Sequence, residues 1–385
     1  MKIVLDFRKY DGVVGGVEQG AIQIALNATM EGHKILMVCK KIRLEQIKEL
    51  FGGEHKNLTL VPVDIESHAI SRQNADIDSR FFQDLAEKEN ADVIHFFYNW
   101  SFPSVKKVPC ILTLHDVIPY TFREAMGWFR NVFIYKKAIR KACRLNDVVV
   151  TVSEYSKQDI ANKVGVPLSK IRVVYNGLRT PAEKDPDLQS QLEQKFNLQN
   201  GFMLNIGGIH ERKNIPRLIQ AFAKIVSNEH YKGNLLITGS VSGAPYQEKM
   251  RKICHAEVVA AGLEGQVVFT GFIPDDELDI LLNQANMLIY PSLYEGFGIP
   301  ILEAMHAGIP VITSNLTAMP EVAGDAGMLV DPLSVDDMAA AMSRLLKDDA
   351  LRTDLISKGK NRAAGFSWEK NWNEYLALYQ ELCRV

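Results

Sequence analysis

Short apolar runs rich in β-branched residues alternate with segments of helical periodicity along most of this chain. Most of these runs are nearly continuous, which is the pattern of a parallel sheet buried on both faces. The first series predicts helices at residues 17–30, 81–89, 129–145 and 154–164. It predicts strands at residues 2–7, 34–39, 58–63, 92–97, 110–114, 148–152 and 172–174. Such an order of strands and helices favours a doubly wound α/β domain.

A polar stretch at residues 179–200, which contains Pro181 and Pro186, interrupts the alternation. We interpret it as a linker with a short helix. The second series then predicts strands at residues 202–207, 234–238, 266–270, 286–290 and 310–313, and helices at residues 215–227, 246–261, 275–284 and 299–307. The chain is therefore predicted to be an α/β protein with two Rossmann-like doubly wound domains, residues 1–178 and 201–365, and a C-terminal helix at 366–385. Two such domains are expected to face each other across a cleft, where ligands most often bind.

Composition excludes several classes of protein. Lys and Arg number 44 and Asp and Glu 46, whereas a protein that binds nucleic acid usually has a clear basic excess. The five cysteines include no CxxC pair, so neither a zinc site nor a disulfide framework is indicated. The apolar run after Lys2 is too short for a signal peptide and is predicted to be a strand. Because no window is long enough to span a bilayer, we expect a cytoplasmic protein.

A glycine pair, Gly15 and Gly16, lies between the first predicted strand and the first predicted helix. Glycines at a helix N-terminus allow backbone amides to approach a phosphate or a sugar. The spacing matches neither GxGxxG nor GxxxxGK[ST], so the pair indicates neither a dinucleotide fingerprint nor a P-loop. A plain tight turn explains this pair at least as well.

Two cations, Arg212 and Lys213, follow the first predicted strand of the second domain. Ligands of doubly wound sheets bind at the carboxyl ends of strands. Pro216 fits the first turn of the next helix, where its missing N–H costs nothing. An arginine fork and a lysine point charge both suit phosphate oxygens. The alternative is a solvated basic turn, since exposed Lys and Arg are common.

The sequence YPSLYEGFGIPILEA places Glu295 and Glu303 around a glycine-rich turn from strand to helix. Pro300 marks the first helical turn, so we expect Glu295 in the loop and Glu303 one turn inside the helix. Amides between Gly296 and Gly298 could bind sugar hydroxyls and phosphate, and Glu303 could accept hydrogen bonds from a ribose. A carboxylate pair of a glycoside hydrolase is the competing interpretation, which the doubly wound pattern disfavours.

The string YPSLYEGFGIPILEAMHAGIPVITSN, followed by MPEVAGDAG, resembles the donor-site signature of retaining glycosyltransferases of family four, which have the GT-B fold. GGIHERKN and VVGGVEQG are similar to the phosphate and first-loop motifs of that family, and LTLHDVIPY, VTVSEYSKQDI and VVYNGL to its first domain. The likeness covers nearly the whole chain and is strongest to bacterial mannosyltransferases of polysaccharide assembly. It implies a hexosyltransferase whose C-terminal helix packs back toward the first domain. GDP-mannose is the favoured donor, and the acceptor is a glycan or a lipid-linked glycan.

The same resemblance implies a role for each candidate residue. His115 lies beside the anomeric carbon and the acceptor, although a capping turn at His115-Asp116 is the alternative. Arg212 and Lys213 neutralise the diphosphate, and Glu295 faces the transferred sugar. The implied donor-binding residues are Gly15, Gly16, Arg212, Lys213, Glu295, Gly296, Phe297, Gly298, Ile299 and Glu303, of which the last holds the ribose. No known motif matches residues 64–78, which we expect to shape the acceptor side.

The expected reaction is sugar transfer with retention, without a protein nucleophile. Cationic Arg212 and Lys213 would stabilise the charge that develops on the leaving nucleotide diphosphate. No metal and no cofactor are expected, because the two cations can neutralise the diphosphate and no DxD motif follows a strand. The alternatives are a sugar-nucleotide epimerase or a phosphorylase on the same fold, and a catalytically silent partner that binds nucleotide sugars.

Residues 129–144, FRNVFIYKKAIRKACR, carry six cations and no acidic residue. Their apolar residues recur at helical spacing, so the stretch predicts a basic amphipathic helix. Such a helix can rest on anionic lipid, which would make the protein weakly peripheral on the inner face of the plasma membrane. The alternative is an ordinary packed helix with a solvated charged face.

Overall fold

The computed structural model describes residues 1–53, 55–68, 71–122, 134–182, 185–239 and 244–383. The chain divides into two compact units. The first unit comprises Met1–Gly177 together with Phe366–Val385, and the second comprises Leu178–Gly365. The stretch predicted to be a linker therefore belongs to the second unit.

The first unit contains a parallel sheet of seven strands in the order β3-β2-β1-β4-β5-β6-β7. The strands are β1 Lys2–Asp6, β2 Lys34–Lys40, β3 Leu58–Val63, β4 Val93–Phe96, β5 Cys110–Thr113, β6 Val148–Thr151 and β7 Ile171–Val173. The central strands are buried along their length, because apolar clusters cover both faces of the sheet. The strand order reverses between β1 and β4, which are hydrogen-bonded neighbours.

The second unit contains a parallel sheet of six strands in the order β10-β9-β8-β11-β12-β13. The strands are β8 Phe202–Ile206, β9 Asn234–Thr238, β10 Val267–Gly271, β11 Met287–Tyr290, β12 Val311–Ser314 and β13 Met328–Val330. Here the order reverses between the neighbours β8 and β11. The predicted α/β fold class with two Rossmann-like sheets is confirmed.

Helices connect the strands in both units. The first unit has α1 Gly16–Met30, α2 Leu44–Leu50, α3 Arg72–Asp76, α4 Phe82–Lys88, α5 Ile118–Thr121, α6 Lys136–Leu145 and α7 Glu154–Val164. The second unit has α8 Pro186–Lys195, α9 Ile215–Glu229, α10 Pro245–Ala260, α11 Asp275–Gln284, α12 Ile299–Ala307, α13 Met319–Ala323, α14 Val335–Lys347 and α15 Asp349–Ala363. The last helix, α16 Trp368–Cys383, returns to the first unit.

Helix α16 packs in the first unit as predicted, and a buried histidine anchors it there. The Nδ1 of His95 on β4 lies 2.7 Å from the hydroxyl of Tyr379, and its Nε2 lies 2.7 Å from the hydroxyl of Thr113. The Tyr375 hydroxyl lies 3.0 Å from the same threonine hydroxyl. Trp372 and Tyr379 are fully buried in the apolar cluster that also contains residues of α1. Polar contacts and apolar burial therefore fix the C-terminal helix in one register.

The predicted basic amphipathic helix is described from residue 134 onward, and residues 129–133 lie outside the described part of the chain. In α6, Ile139, Ala142 and Cys143 are buried, so the apolar face packs inside the first unit. The cations Lys137, Arg140, Lys141 and Arg144 are exposed. In the described part of the chain, no helix combines the length and apolar character needed to cross a bilayer.

Candidate functional site

The loops that follow β8 and β11 meet because these strands are adjacent where the strand order of the second sheet reverses. Such a reversal opens a crevice at the carboxyl ends of the strands, where α/β proteins bind ligands. After β8, a single 3-10 turn at Glu211–Lys213 leads into α9. After β11, a loop leads into α12. The Leu293 amide donates a 2.7 Å hydrogen bond to the Arg212 carbonyl and joins the two loops.

The backbone leaves space for Lys213 at this point. Gly207 has φ +113°, and a Cβ built there would lie 2.8 Å from the Lys213 Nζ. Asn214, with φ +60°, turns the chain into α9 in a left-handed conformation that Asn tolerates better than most residues. The φ of residue 207 therefore favours glycine, and a side chain there would in addition displace the end of Lys213.

Arg212 and Lys213 converge on the carboxylate of Glu295. The Arg212 Nη1 lies 2.5 Å and the Lys213 Nζ 2.8 Å from the same oxygen, Glu295 Oε1. The ammonium of Lys213 also donates a 2.6 Å hydrogen bond to the Tyr290 hydroxyl. Two cations thus share one carboxylate, and the cluster has a positive formal charge.

Burial and the neighbouring charges shift the pKa values of the cluster in opposite directions. Burial raises the pKa of Glu295, but Lys213 and Arg212 outweigh it and hold that pKa below its ordinary value. Burial lowers the pKa of Lys213 to about 8, although Glu295 opposes this shift. Glu295 is therefore ionised at neutral pH, and Lys213 is protonated but within about a unit of its pKa.

The turn into α12 contains four of the other candidate residues. Gly298 has φ +120°, a conformation that favours glycine, and precedes the first helical residue, Ile299. Gly296 and Phe297 are buried in the turn. The Glu295 amide donates a 3.2 Å hydrogen bond to the Thr317 hydroxyl, which fixes the loop from the side of the next strand.

Glu303 lies one turn inside α12, as expected, and has a different partner from Glu295. Its Oε1 lies 3.3 Å from the Nε of Arg179, at the start of the second unit. Both residues line a cavity of about 170 Å³, together with Asp279 and His306. The two glutamates therefore belong to separate contact networks, which agrees with different roles and not with a carboxylate pair.

The candidate residues of the first unit are Gly15, Gly16 and His115. Gly15 caps α1, and its amide donates a 3.2 Å hydrogen bond to the carboxylate of Glu18. Burial, with the charge of Lys9, lowers the pKa of His115 to about 4, so this imidazole is neutral at pH 7. Its Nε2 is buried without a hydrogen-bond partner among the described residues. The Asp116 carboxylate accepts a 2.9 Å hydrogen bond from the Ile118 amide, so the turn that the alternative interpretation requires exists beside His115.

A second charged cluster lies where the strand order of the first sheet reverses, and sequence reasoning did not identify it. The guanidinium of Arg8, after β1, donates to the carboxylates of Asp6 and Asp78 and is fully buried. His68 lies 4.0 Å from Asp6 and is also buried. Asp78 and His68 come from residues 64–78, the stretch without a known motif. An ionisable residue inside an apolar strand, such as Asp6 after Ile3–Leu5, was the available signal.

Asp6, His68 and Asp78 offer ligand atoms within 4.8 Å of one another, which is metal-site geometry. Arg8 already donates to both carboxylates, so one of their two negative charges is balanced by a cation. The arrangement is that of a closed ion network inside the first unit.

Two parallel sheets of Rossmann type, with a charged cluster at the strand-order reversal of the second, define an α/β protein of the GT-B class. A family model described as glycosyl transferases group 1 matches residues 189–362, and one described as Glycosyltransferase Family 4 matches residues 14–180. The chain belongs to this glycosyltransferase family. It is an enzyme of the glycosyltransferase class, as the motifs implied.

Individual relatives and structures agree with this assignment. The chain is 32% identical to O-antigen chain mannosyltransferase B of Escherichia coli over 78% of this chain and 77% of that one. It is 29% identical to the GDP-mannose-dependent alpha-(1-6)-phosphatidylinositol monomannoside mannosyltransferase of Mycobacterium tuberculosis over 70% of this chain and 69% of that one. The crystal structure of Anabaena Alr3699/HepE in complex with UDP superposes with a TM-score of 0.76 at 19% identity, covering 99% of this chain and 100% of that chain. At that identity, the superposition shows the fold.

Proposed function

We propose that the protein transfers mannose, with retention, from GDP-mannose to a glycan or lipid-linked acceptor in cell-surface polysaccharide synthesis. The observation that carries the proposal is the convergence of Arg212 and Lys213 where the second sheet reverses its strand order. The mannosyltransferases among the relatives support the choice of sugar, and the GDP-mannose dependence in the name of one relative supports the choice of nucleotide.

In the proposed reaction the two cations act on the leaving group. As the glycosidic bond lengthens, negative charge accumulates on the diphosphate, and Arg212 and Lys213 stabilise it. Lys213 is buried beside Tyr290, so its charge is screened little by water. The same two cations replace the electrostatic contribution that a divalent metal makes in other transferases.

The carboxylates and the histidine have separate proposed roles. Glu295 exchanges its contact with the two cations for contact with the transferred sugar when the diphosphate binds. Glu303 accepts hydrogen bonds from the ribose, and the turn from Gly296 to Ile299, at the N-terminus of α12, faces the phosphates. His115 remains neutral and offers a hydrogen bond near the anomeric carbon, with Gly15 and Gly16 near the donor phosphate.

The experiment that tests this function has a binding stage and a transfer stage. A thermal-shift screen with GDP-, UDP- and ADP-sugars identifies the nucleotide, since a ligand at a hundredfold excess over its Kd stabilises the native state by about 2.7 kcal/mol. Transfer of mannose to a glycan acceptor is then followed by GDP release, and NMR reads the anomeric configuration of the product. We expect GDP-mannose to be productive and the α configuration to be retained. A UDP- or ADP-sugar as the only productive donor, or an inverted product, would refute the proposal.

The same assay separates the alternative activities. An epimerase changes the donor without acceptor, and a phosphorylase forms a sugar phosphate from glycan and inorganic phosphate. A silent binding partner binds the donor but does not turn it over with any acceptor in a panel. We expect nucleotide release only when an acceptor is present.

The exposed cations of α6 support a further element of the proposal, weak contact with anionic membranes. The apolar face of this helix is buried inside the first unit, so the contact is electrostatic and reversible, at about 1 kcal/mol for each cation near the surface. Co-sedimentation with anionic vesicles should occur at low salt and be lost at high salt. Neutral vesicles are the control, and absence of binding at low salt removes this element.

A further inference from the structure

Arg179 connects two carboxylates that are distant in sequence. Its Nη1 donates a 2.6 Å hydrogen bond to Asp279 Oδ2, and its Nη2 donates to the other oxygen of the same carboxylate. Its Nε lies 3.3 Å from Glu303 Oε1. One guanidinium therefore holds Asp279 on α11 through one edge and contacts Glu303 on α12 through its Nε.

Asp279 is held in place independently of the arginine. The Ala182 amide donates a 2.7 Å hydrogen bond to Asp279 Oδ2, and the aspartate lies inside α11 with little exposed surface. Asp279 thus serves as a fixed anchor, and Arg179 transmits that fixed position to Glu303. The side chain of Arg179 is 18% exposed and that of Glu303 is 15% exposed, so solvent and a ligand can still reach the glutamate.

Among the described residues, Arg179 contacts only one of the two carboxylate oxygens of Glu303. Arg179 contacts Glu303 through Oε1. The carboxylate, which belongs to the lining of the cavity of about 170 Å³, therefore keeps capacity to accept further hydrogen bonds. A carboxylate held by a cation at one oxygen keeps a defined orientation for a second, bidentate partner. Vicinal hydroxyls of a ribose are such a partner.

We propose that Arg179 is a positioning residue of the donor site, which orients the Glu303 carboxylate for the ribose hydroxyls through its anchor on Asp279. This inference rests on the proposed function, which assigns the ribose to Glu303. Arg179 itself makes no contact with the reacting atoms in this mechanism. Its effect therefore falls on nucleotide recognition and not on the chemical step.

The charge of Arg179 has a second, measurable consequence. Burial and the nearby aspartates raise the pKa of Glu303, while Arg179 lowers it, and burial dominates. Without Arg179 the pKa of Glu303 rises further, so protonation of this carboxylate begins at higher pH. Because a protonated carboxyl accepts fewer hydrogen bonds, nucleotide affinity should then decline at a higher pH as the solution is acidified.

The test compares a nucleoside diphosphate with its 2′-deoxy analogue by titration calorimetry. The nucleotide is the one among GDP, UDP and ADP that gives the largest thermal shift with the wild-type protein. The variants are Arg179→Ala, Arg179→Lys, Glu303→Gln and the double variant Arg179→Ala with Glu303→Gln. Lys224→Ala is the matched control, because it removes an exposed cation that pairs with Asp336 elsewhere in the same unit. Thermal melts check that each variant is folded.

We expect the wild type and Lys224→Ala to prefer the ribonucleotide by between about tenfold and a hundredfold, as a hydrogen bond to a charged group commonly gives. Glu303→Gln and Arg179→Ala should each reduce the preference to within about threefold, and the double variant should lose no more, because the residues act as a unit. Arg179→Lys should keep part of the preference. As the solution is acidified, the nucleotide affinity of Arg179→Ala should begin to fall at a higher pH than that of the wild type.

The outcomes separate the two ideas. Loss of the preference in Glu303→Gln but not in Arg179→Ala overturns the inference and leaves the assignment of the ribose to Glu303 intact. An unchanged preference in Glu303→Gln, or no preference in the wild type, overturns that assignment and the inference with it. A loss in Arg179→Ala that adds to the loss in Glu303→Gln also overturns the inference, since Arg179 would then act without the glutamate.

Discussion

Both sheets reverse their strand order next to a group of charged side chains, but the two groups differ in composition and exposure. In the first unit, between β1 and β4, one cation, Arg8, is shared by two carboxylates, Asp6 and Asp78. In the second unit, between β8 and β11, two cations, Arg212 and Lys213, share the carboxylate of Glu295. The topological position is the same, and the sign of the excess charge is opposite.

The difference in exposure follows the difference in charge. The Arg8 side chain has no exposed surface, whereas the Arg212 side chain is 19% exposed. In the first unit Arg8 has lost its solvation and is compensated inside the protein. In the second unit the cluster keeps a cation in excess, and part of it reaches solvent, so an anion can add to it. The sign of the excess charge and the exposure, and not the presence of ion pairs, separate the buried network of the first unit from the cluster that we propose to bind an anion.

The contrast between the two clusters can be tested most directly by removing the cation of the first unit. Arg8→Met leaves two buried carboxylates without their cation, and we expect a loss of about 3–5 kcal/mol in the opening free energy of that unit. Hydrogen exchange of the β1 and β4 amides measures it, since it reports the local opening of one unit. Lys107→Ala, which breaks exposed ion pairs in the same unit, should change these amides little. Unchanged exchange in Arg8→Met would show that Arg8 does not hold the network together.

In the second unit the same kind of change should act on catalysis. Arg212→Ala and Lys213→Ala should each lower turnover about a hundredfold or more, mainly in kcat, because they remove stabilisation of the leaving group. Thermal melts should stay near wild type for Arg212→Ala, whose side chain is partly exposed. Steady-state kinetics with Lys224→Ala as control measure the effect, and near-normal kcat in both variants would contradict the proposed phosphate clamp.

The sequence singled out the members of the second cluster, although not their mutual contacts, because local context marks each of them. Arg212 and Lys213 follow an apolar strand directly, and Glu295 lies in a glycine-rich turn before a proline, so strand and helix signals place all three at one edge of a sheet. Which carboxylate the cations contact was not predictable, since both Glu295 and Glu303 follow the same strand. The structure separates them through Arg179, which lies in the stretch that sequence composition indicated to be a linker.

The first cluster was missed for a physical reason. Asp6 ends β1 and Arg8 follows it, but Asp78 and His68 come from a polar stretch without strand or helix periodicity. Only the long-range packing of that stretch brings Asp78 to Arg8, and no local pattern encodes it. After β12, the elements β13 and α13 are too short for periodicity to indicate them, whereas α14 and α15 are long enough and were omitted from the prediction.

A smaller change sharpens the contrast by altering the charge balance of the second cluster alone. Glu295→Gln removes the carboxylate that competes with a diphosphate for Arg212 and Lys213. We expect nucleoside diphosphate affinity to rise on the order of tenfold at pH 6.5, where the bound diphosphate replaces Glu295 as the negative charge that opposes the lowered pKa of Lys213. Calorimetric titration of GDP measures it, and Asp336→Asn controls for loss of an exposed carboxylate in the same unit. Weaker binding in Glu295→Gln would show that the glutamate organises the cations instead of competing with the ligand.

The low pKa of Lys213 predicts a pH dependence of nucleotide binding at the second cluster. Burial lowers this pKa to about 8, and only the protonated amine attracts the diphosphate. As pH rises through 8, the free protein loses the charge, so the Kd for GDP should rise about tenfold per unit. Lys213→Arg keeps its charge throughout this range and should show a flat profile between pH 7 and 9. A steep profile in Lys213→Arg would assign the dependence to another group.

The smallest expected effect is that of metal removal. If Arg212 and Lys213 are sufficient to neutralise the diphosphate, turnover after EDTA treatment should remain within about twofold of its untreated value. The comparison between the units makes the argument specific: the cationic excess of the second cluster is intrinsic to the chain, while both carboxylates of the first already pair with Arg8. Addition of magnesium or manganese to the chelated enzyme should therefore change kcat little. Loss of turnover in EDTA, restored by either ion, would show that the two cations do not suffice and that a metal completes the charge on the leaving group.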